Sequence, residues 1–331
     1  MSKPIILNAA ELPARTQAEL ASLFTVLDLP QQADEAAALL ARHGASIRGI
    51  ALRKTKIDAA FLAALPALEI IASYSAGLDN LDVQSAQVRG IRIENASRVL
   101  AEDVANTAIG LALAVTRDLV QADAYVRSGQ WPEQGALPLG RSISRMRIGI
   151  VGLGTIGAAI AKRLQAFGSR LAYYGPNRKP VDLPYYDDVA RLAADSDMLI
   201  LSCPLSPQTH HLVDARVIDA LGPQGFLVNI ARGPVVDEAA LIAALADKRI
   251  AGAALDVFEH EPHVPRALID DPRVVLTPHI GSATEETRTG MADNVVDMLA
   301  SHFGIAGPRS TSTRVAEAGM RRRQCRHSER R

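Results

Sequence analysis

Residues 147–167 read RIGIVGLGTIGAAIAKRLQAF. The apolar run 147–151 is too short for a core helix and ends at glycine, so it reads as a buried strand. Residues 155–167 have helical spacing. Between them stands Gly152-Leu153-Gly154-Thr155-Ile156-Gly157, a G-x-G-x-x-G turn that joins strand to helix. In that context the pattern points to a dinucleotide. Gly152 permits the tight turn, Gly154 lets a pyrophosphate approach the backbone, and Gly157 lets the helix lie close to the sheet. The helix start at Thr155 and Ile156 offers unpaired N–H donors and partial positive charge to the phosphates.

Working outward, the apolar runs 170–174, 198–202, 225–229, 252–256 and 274–277 read as further strands. With 147–151 they suit a six-stranded doubly wound sheet. Upstream, 4–8, 47–52, 68–72 and 91–94 read as buried strands, alternating with helical spacing at 34–42, 58–65 and 82–88. Such alternation builds a parallel sheet covered on both faces. A long apolar helix is expected over 102–129, and residues 284–303 form a helix that returns to the first domain. The fold class is therefore α/β with two doubly wound parallel-sheet domains. A Rossmann dinucleotide-binding domain is expected over 100–282, inserted into a flavodoxin-like first domain, 1–99 and 283–307.

The composition, 48% hydrophobic and 22% charged over 331 residues, allows two such cores. No apolar run is expected to cross a bilayer, and the first residues lack a signal-peptide core. Two cysteines, Cys203 and Cys325, fit a reducing cytosol better than a disulfide framework, so a cytoplasmic protein is expected. The zero net charge conceals a basic end: residues 309–331 hold eight arginines against Glu317 and Glu329. Residues 308–331 are expected to be a disordered, dispensable tail. The rest of the chain is correspondingly acidic, which argues against nucleic-acid and membrane partners.

The strand 170–174 bears on the choice of dinucleotide. An NAD site usually carries an acid at this strand end, on the ribose hydroxyls. Here Tyr173-Tyr174-Gly175-Pro176-Asn177-Arg178-Lys179 has no carboxylate before Asp182. Arg178 can grip a 2′-phosphate through its planar fork, beside Asn177 and with Lys179 adding charge. NADPH is expected over NADH.

Three other strand ends carry polar or titratable groups: Ile230-Ala231-Arg232 after 225–229, Asp256 through Pro262 after 252–256, and Pro278-His279-Ile280-Gly281 after 274–277. Doubly wound sheets bind ligands at such ends. His279 is a candidate general acid, Arg232 a candidate anion clamp, and Glu259 and Glu261 compete as partner of the histidine. The mixed spacing of Glu259-His260-Glu261 and His263 matches no common metal motif, so no metal is expected. His210-His211 reads as a solvent-exposed pair.

These segments, with Ser73-Tyr74-Ser75-Ala76-Gly77-Leu78-Asp79, Glu102-Asp103-Val104-Ala105 and residues 256–265 (DVFEHEPHVP), resemble the D-2-hydroxyacid dehydrogenase family. The resemblance runs to about Phe303 and is greatest to NADPH-dependent glyoxylate, hydroxypyruvate and hydroxyphenylpyruvate reductases. It implies that Arg232, Glu261 and His279 are catalytic, selecting Glu261 over Glu259. It assigns the backbone of Ala76 and Gly77 to the substrate carboxylate, with Leu52 and Arg53 shaping the pocket. Asp256 is then the partner of the nicotinamide carboxamide, Cys203 and Pro204 line the ring, and Ile230, Ala231 and Gly281 belong to the cofactor site. The implied reaction reduces a small 2-keto acid to its D-2-hydroxy acid, in a cleft that closes over the substrate. A homodimer formed through helix 102–126 is also implied. The competing readings are a formate-dehydrogenase-like enzyme, which would have Gln in place of Glu261, and a corepressor-like NAD(P)H-binding scaffold with little turnover.

Overall fold

A computed structural model describes residues 3–307; the basic tail 308–331 lies outside the described residues. The chain divides into two compact units, one running to Val99 and resuming at Arg288, the other spanning Leu100–Thr287.

In the first unit, β1 (Ile5–Ala9), β2 (Thr25–Asp28), β3 (Ile47–Leu52), β4 (Ile70–Ser73) and β5 (Arg92–Glu94) form a parallel sheet in the order β2-β1-β3-β4-β5. Leu7, Ile50, Ala51, Ile70 and Ile71 are wholly buried along its central strands, as a sheet covered on both faces requires. The aspartates that open two of the expected helices act as caps. The Asp58 carboxylate accepts from the Phe61 N–H and Asp82 from the Ser85 N–H, so the helices start at Ala59 and Val83. Two elements escaped the periodicity. β2 is a half-exposed edge strand of four residues, and helix Ala14–Leu23 buries only Thr16 and Leu20. At the end of the returning helix, Phe303 packs edge-on against Phe24 at 5.9 Å.

The second unit holds β6 (Arg147–Val151), β7 (Arg170–Tyr174), β8 (Tyr185–Tyr186), β9 (Met198–Leu201), β10 (Phe226–Asn229), β11 (Gly252–Leu255) and β12 (Val274–Leu276). The parallel order is β12-β11-β10-β9-β6-β7-β8. Six of these strands were expected; the seventh, β8, is a two-residue addition at the edge. β9, β10 and β11 are buried throughout. The order reverses between β6 and β9, so a crevice opens beyond their carboxyl ends, next to the glycine turn.

Two expectations are corrected. The helix expected over 102–129 is two helices, Ser97–Thr116 and Leu119–Arg127. The Thr116 carbonyl accepts from the Arg141 N–H at 2.8 Å, and Asp118 adopts the left-handed region at φ 51, which stops the first helix. Ser97–Thr116 is also long and apolar enough, by composition, to cross a membrane, contrary to the expectation that no run would qualify. Ten of its residues are buried against the fold.

Candidate active site

β6 delivers the glycine turn. Gly152 sits at φ +97, and a Cβ there would lie 2.7 Å from the Cys203 backbone, so only glycine lets the β6 and β9 loops pass. A Cβ on Gly157 would lie 2.2 Å from the Gly152 carbonyl oxygen; its absence seats helix Thr155–Phe167 on the sheet. Gly154 differs: it is the N-cap, without a side-chain cap, and a Cβ there would meet nothing within 4 Å. An uncapped helix start beside open space is a cradle suited to a pyrophosphate. Cys203 is buried, and burial pushes its thiol up to about 12, so it offers a neutral, apolar wall. Pro204 beside it is exposed.

Beyond β7, Asn177, Arg178 and Lys179 are exposed. The Lys179 N–H donates to the Tyr173 hydroxyl at 2.7 Å and the Tyr185 hydroxyl to the Gly175 carbonyl at 3.1 Å. These bonds hold the loop while leaving its two cations outside any ion pair among the described residues.

The ends of β10, β11 and β12 bring the titratable groups together. His279 Nδ1 lies 2.8 Å from Glu261 Oε2, and both side chains are partly exposed. The other Glu261 oxygen accepts from the Phe258 N–H at 3.2 Å. Burial alone would push the Glu261 carboxyl up. The hydrogen bond and charge of His279, the Phe258 N–H and the charge of Arg232 outweigh it, and the group rests below the usual carboxylate range. A carboxylate on Nδ1 fixes the imidazole's orientation and leaves Nε2 to face a substrate. Arg232 follows β10, where the Asn229 side-chain amide donates to its carbonyl at 3.0 Å and its own guanidinium donates to the Ala231 carbonyl at 2.8 Å.

Asp256 is 2% exposed and engages its own chain. One carboxylate oxygen accepts from the Thr277 hydroxyl at 2.6 Å and the Ile280 N–H at 2.8 Å, the other from the Gly281 N–H at 2.9 Å. This clasp supports His279, which sits in the left-handed region at φ 54. Gly281 is buried, with its N–H on Asp256 and its carbonyl accepting from the Thr107 hydroxyl at 3.3 Å. These bonds seat the loop that carries His279. Ile230 and Ala231 are each 7% exposed, and the Ala231 N–H donates to the Asn229 side chain.

In the first unit, the loop after β4 is anchored by the Asn95 amide, which donates to the Ala76 carbonyl at 3.0 Å. Neither the Ala76 nor the Gly77 N–H has an acceptor among the described residues, which suits them to an anion. Leu52, expected at the substrate, is wholly buried. Its neighbour Arg53, over the Tyr74 ring at 5.1 Å, faces a cavity of about 620 Å³ at the ends of β1, β2 and β3. His210 is exposed, as expected, and His211 is partly exposed and also paired with Glu259. Sequence reading missed this pair because its partners stand 48 residues apart.

Residues 109–281 match the NAD-binding domain of D-isomer specific 2-hydroxyacid dehydrogenases. Glyoxylate/hydroxypyruvate reductase A HPR2 of Arabidopsis thaliana is 51% identical over 81% of this chain and 86% of its own. Hydroxyphenylpyruvate reductase of Plectranthus scutellarioides is 46% identical over 85% and 89%. Among solved structures, NADPH-dependent glyoxylate/hydroxypyruvate reductase of Sinorhizobium meliloti, in complex with NADP and malonate, aligns at a TM-score of 0.81. It is 42% identical and covers 91% of this chain and 94% of that one. The uncapped glycine turn, the His279–Glu261 pair and these likenesses converge: the chain belongs to the D-isomer specific 2-hydroxyacid dehydrogenases.

Proposed function

We propose that the protein reduces small 2-keto acids, glyoxylate and hydroxypyruvate foremost, to D-2-hydroxy acids with NADPH. The observation that carries the chemistry is the 2.8 Å contact between His279 Nδ1 and Glu261, on the same sheet as the glycine turn. Reduction of a keto group needs a proton on oxygen as carbon is reduced. His279, held by Glu261, supplies that proton from Nε2. Arg232 binds the carboxylate and draws charge from the carbonyl. The dinucleotide, when bound, supplies the hydride. Thr155 and Ile156 at the helix start hold its pyrophosphate.

The preference for NADPH rests on Arg178 and Lys179, which have no acidic partner among the described residues, and on the missing acid at the end of β7. The Sinorhizobium relative is described as NADPH-dependent. A contact between Asp256 and the carboxamide would have to share a carboxylate already engaged by three donors. The exposed apolar side chains of 119–139 fit a homodimer.

The test is the initial rate of NADPH and NADH oxidation with glyoxylate, hydroxypyruvate, 4-hydroxyphenylpyruvate and pyruvate, for wild type and His279→Ala. We expect fast NADPH-dependent turnover, lost in the variant while NADPH still binds. Firm binding without turnover on any acid would replace the reductase with a nucleotide-binding scaffold.

A further inference from the structure

Two His–Glu pairs stand side by side at this site, and only one touches the reaction. Glu261 takes His279. Glu259, two residues earlier, takes His211 Nε2, and its carboxylate is 18% exposed. His211 belongs to a segment bonded along the loop that follows Arg232. The His211 N–H donates to the Pro234 carbonyl at 2.8 Å, the Val213 N–H to Val235 at 3.0 Å, and the Asp237 N–H to Val213 at 3.1 Å. The Arg232 loop in turn crosses the Glu261 loop at Gly233. A Cβ there would fall 1.9 Å from the Phe258 carbonyl carbon and 2.3 Å from the Glu259 nitrogen. The Glu259 N–H also reaches a buried carboxylate oxygen of Glu238, at 3.4 Å, on the helix that continues from the Arg232 loop.

Three segments, around His211, Arg232 and Glu261, thus form one bonded unit. We infer that the His211–Glu259 pair is a clasp that sets the spacing between Arg232 and Glu261, making both members positioning residues for the reduction. The pair spans the two outer segments, with the Arg232 loop bonded to His211 on one side and packed on Glu259 on the other. Without it, the link from the Glu259 side chain to the His211 segment is lost, and the loop carrying Glu261 is left with the Gly233 crossing, the long contact to Glu238, the buried Phe258 and the bonds of Glu261 to Phe258 and His279. A drift of about an ångström in a reacting group costs on the order of 10²-fold in rate, and smaller drifts cost less. The inference rests on the reading above, in which Arg232 and Glu261 serve the substrate.

The experiment is a double-mutant cycle. His211→Ala and Glu259→Ala should each lower kcat about 10-fold, with NADPH Kd unchanged, and the double variant should be no worse than either. Glu259→Gln, which keeps an acceptor for the imidazole, should recover most of the loss and also serves if the alanine variants fold poorly. In a Glu261→Gln background, His211→Ala should cost little more, because the group it positions is already gone. Full kcat in His211→Ala and Glu259→Ala would overturn the clasp. So would an undiminished 10-fold loss in the Glu261→Gln background, or a loss matched by the unfolded fraction seen by circular dichroism. Full activity in Glu261→Gln alone would instead overturn the reading of Glu261, whatever His211 does.

Discussion

A carboxyl group held below its ordinary range in the folded chain, as Glu261 is, binds its proton more weakly than it would unfolded. The stability it contributes is fully present above the ordinary carboxylate value of about 4.3 and is withdrawn as pH falls through the lower folded value. Glu261→Gln removes that dependence. The gap in urea midpoint between wild type and variant should therefore shrink between pH 6 and pH 3, and a gap that widened on acidification would reverse the assignment. In turnover the same variant should lose on the order of 10²–10⁴-fold in kcat, the range of general acid–base assistance. Glu259 and Glu261 show where residue-level reading stops. Both are acidic and both flank His260, and nothing in their spacing says which imidazole each will meet. Family resemblance favoured Glu261, and the contact at 2.8 Å agrees. The His211 partnership is fixed by two loops whose crossing no local pattern encodes.

At the scale of elements, the glycine turn separates two roles that its motif merges. Gly154→Ala places a methyl group in open space at φ −87, whereas Gly157→Ala drives one against the Gly152 carbonyl and within 2.9 Å of the Ser202 hydroxyl. The first should leave the melting temperature nearly unchanged and weaken NADPH binding. The second should cost about 1–3 kcal/mol of stability, as overpacking does. Calorimetry with a cofactor titration checks both, and equal destabilisation by the two variants would refute the division. Most of the second unit was legible because its strands are short, apolar and buried, and β6, β7 and helix Thr155–Phe167 lie where the periodicity put them. What escaped were elements with little to bury. β2 and helix Ala14–Leu23 present mixed faces, and β8 has only two residues. The break at Asp118 goes with its left-handed backbone and with the bond from the Arg141 N–H to the Thr116 carbonyl, a contact that helical spacing through the same residues cannot register.

At the scale of the whole molecule, the second unit exposes several large apolar side chains between residues 119 and 139. Leu119, Val120 and Val126 lie on helix Leu119–Arg127 and are 50–54% exposed; Trp131 is 58% exposed and Leu139 is 99% exposed. Where such side chains adjoin, they mark an interaction surface. A second copy of the chain is the expected occupant, since two-fold dimers are the commonest closed assemblies. Sedimentation velocity should give twice the chain mass at micromolar concentration. Val120→Glu with Val126→Glu should give the single-chain mass, because burying two carboxylates without partners is costly. Trp131 is the sole tryptophan, so its emission reports on the surface directly. It should shift to shorter wavelength in wild type as association buries the indole, and remain red-shifted and independent of concentration in the double variant. A wild-type chain that sediments as a monomer, with emission already matching the variant's, would leave the apolar run without a second copy and remove the dimer from the reading.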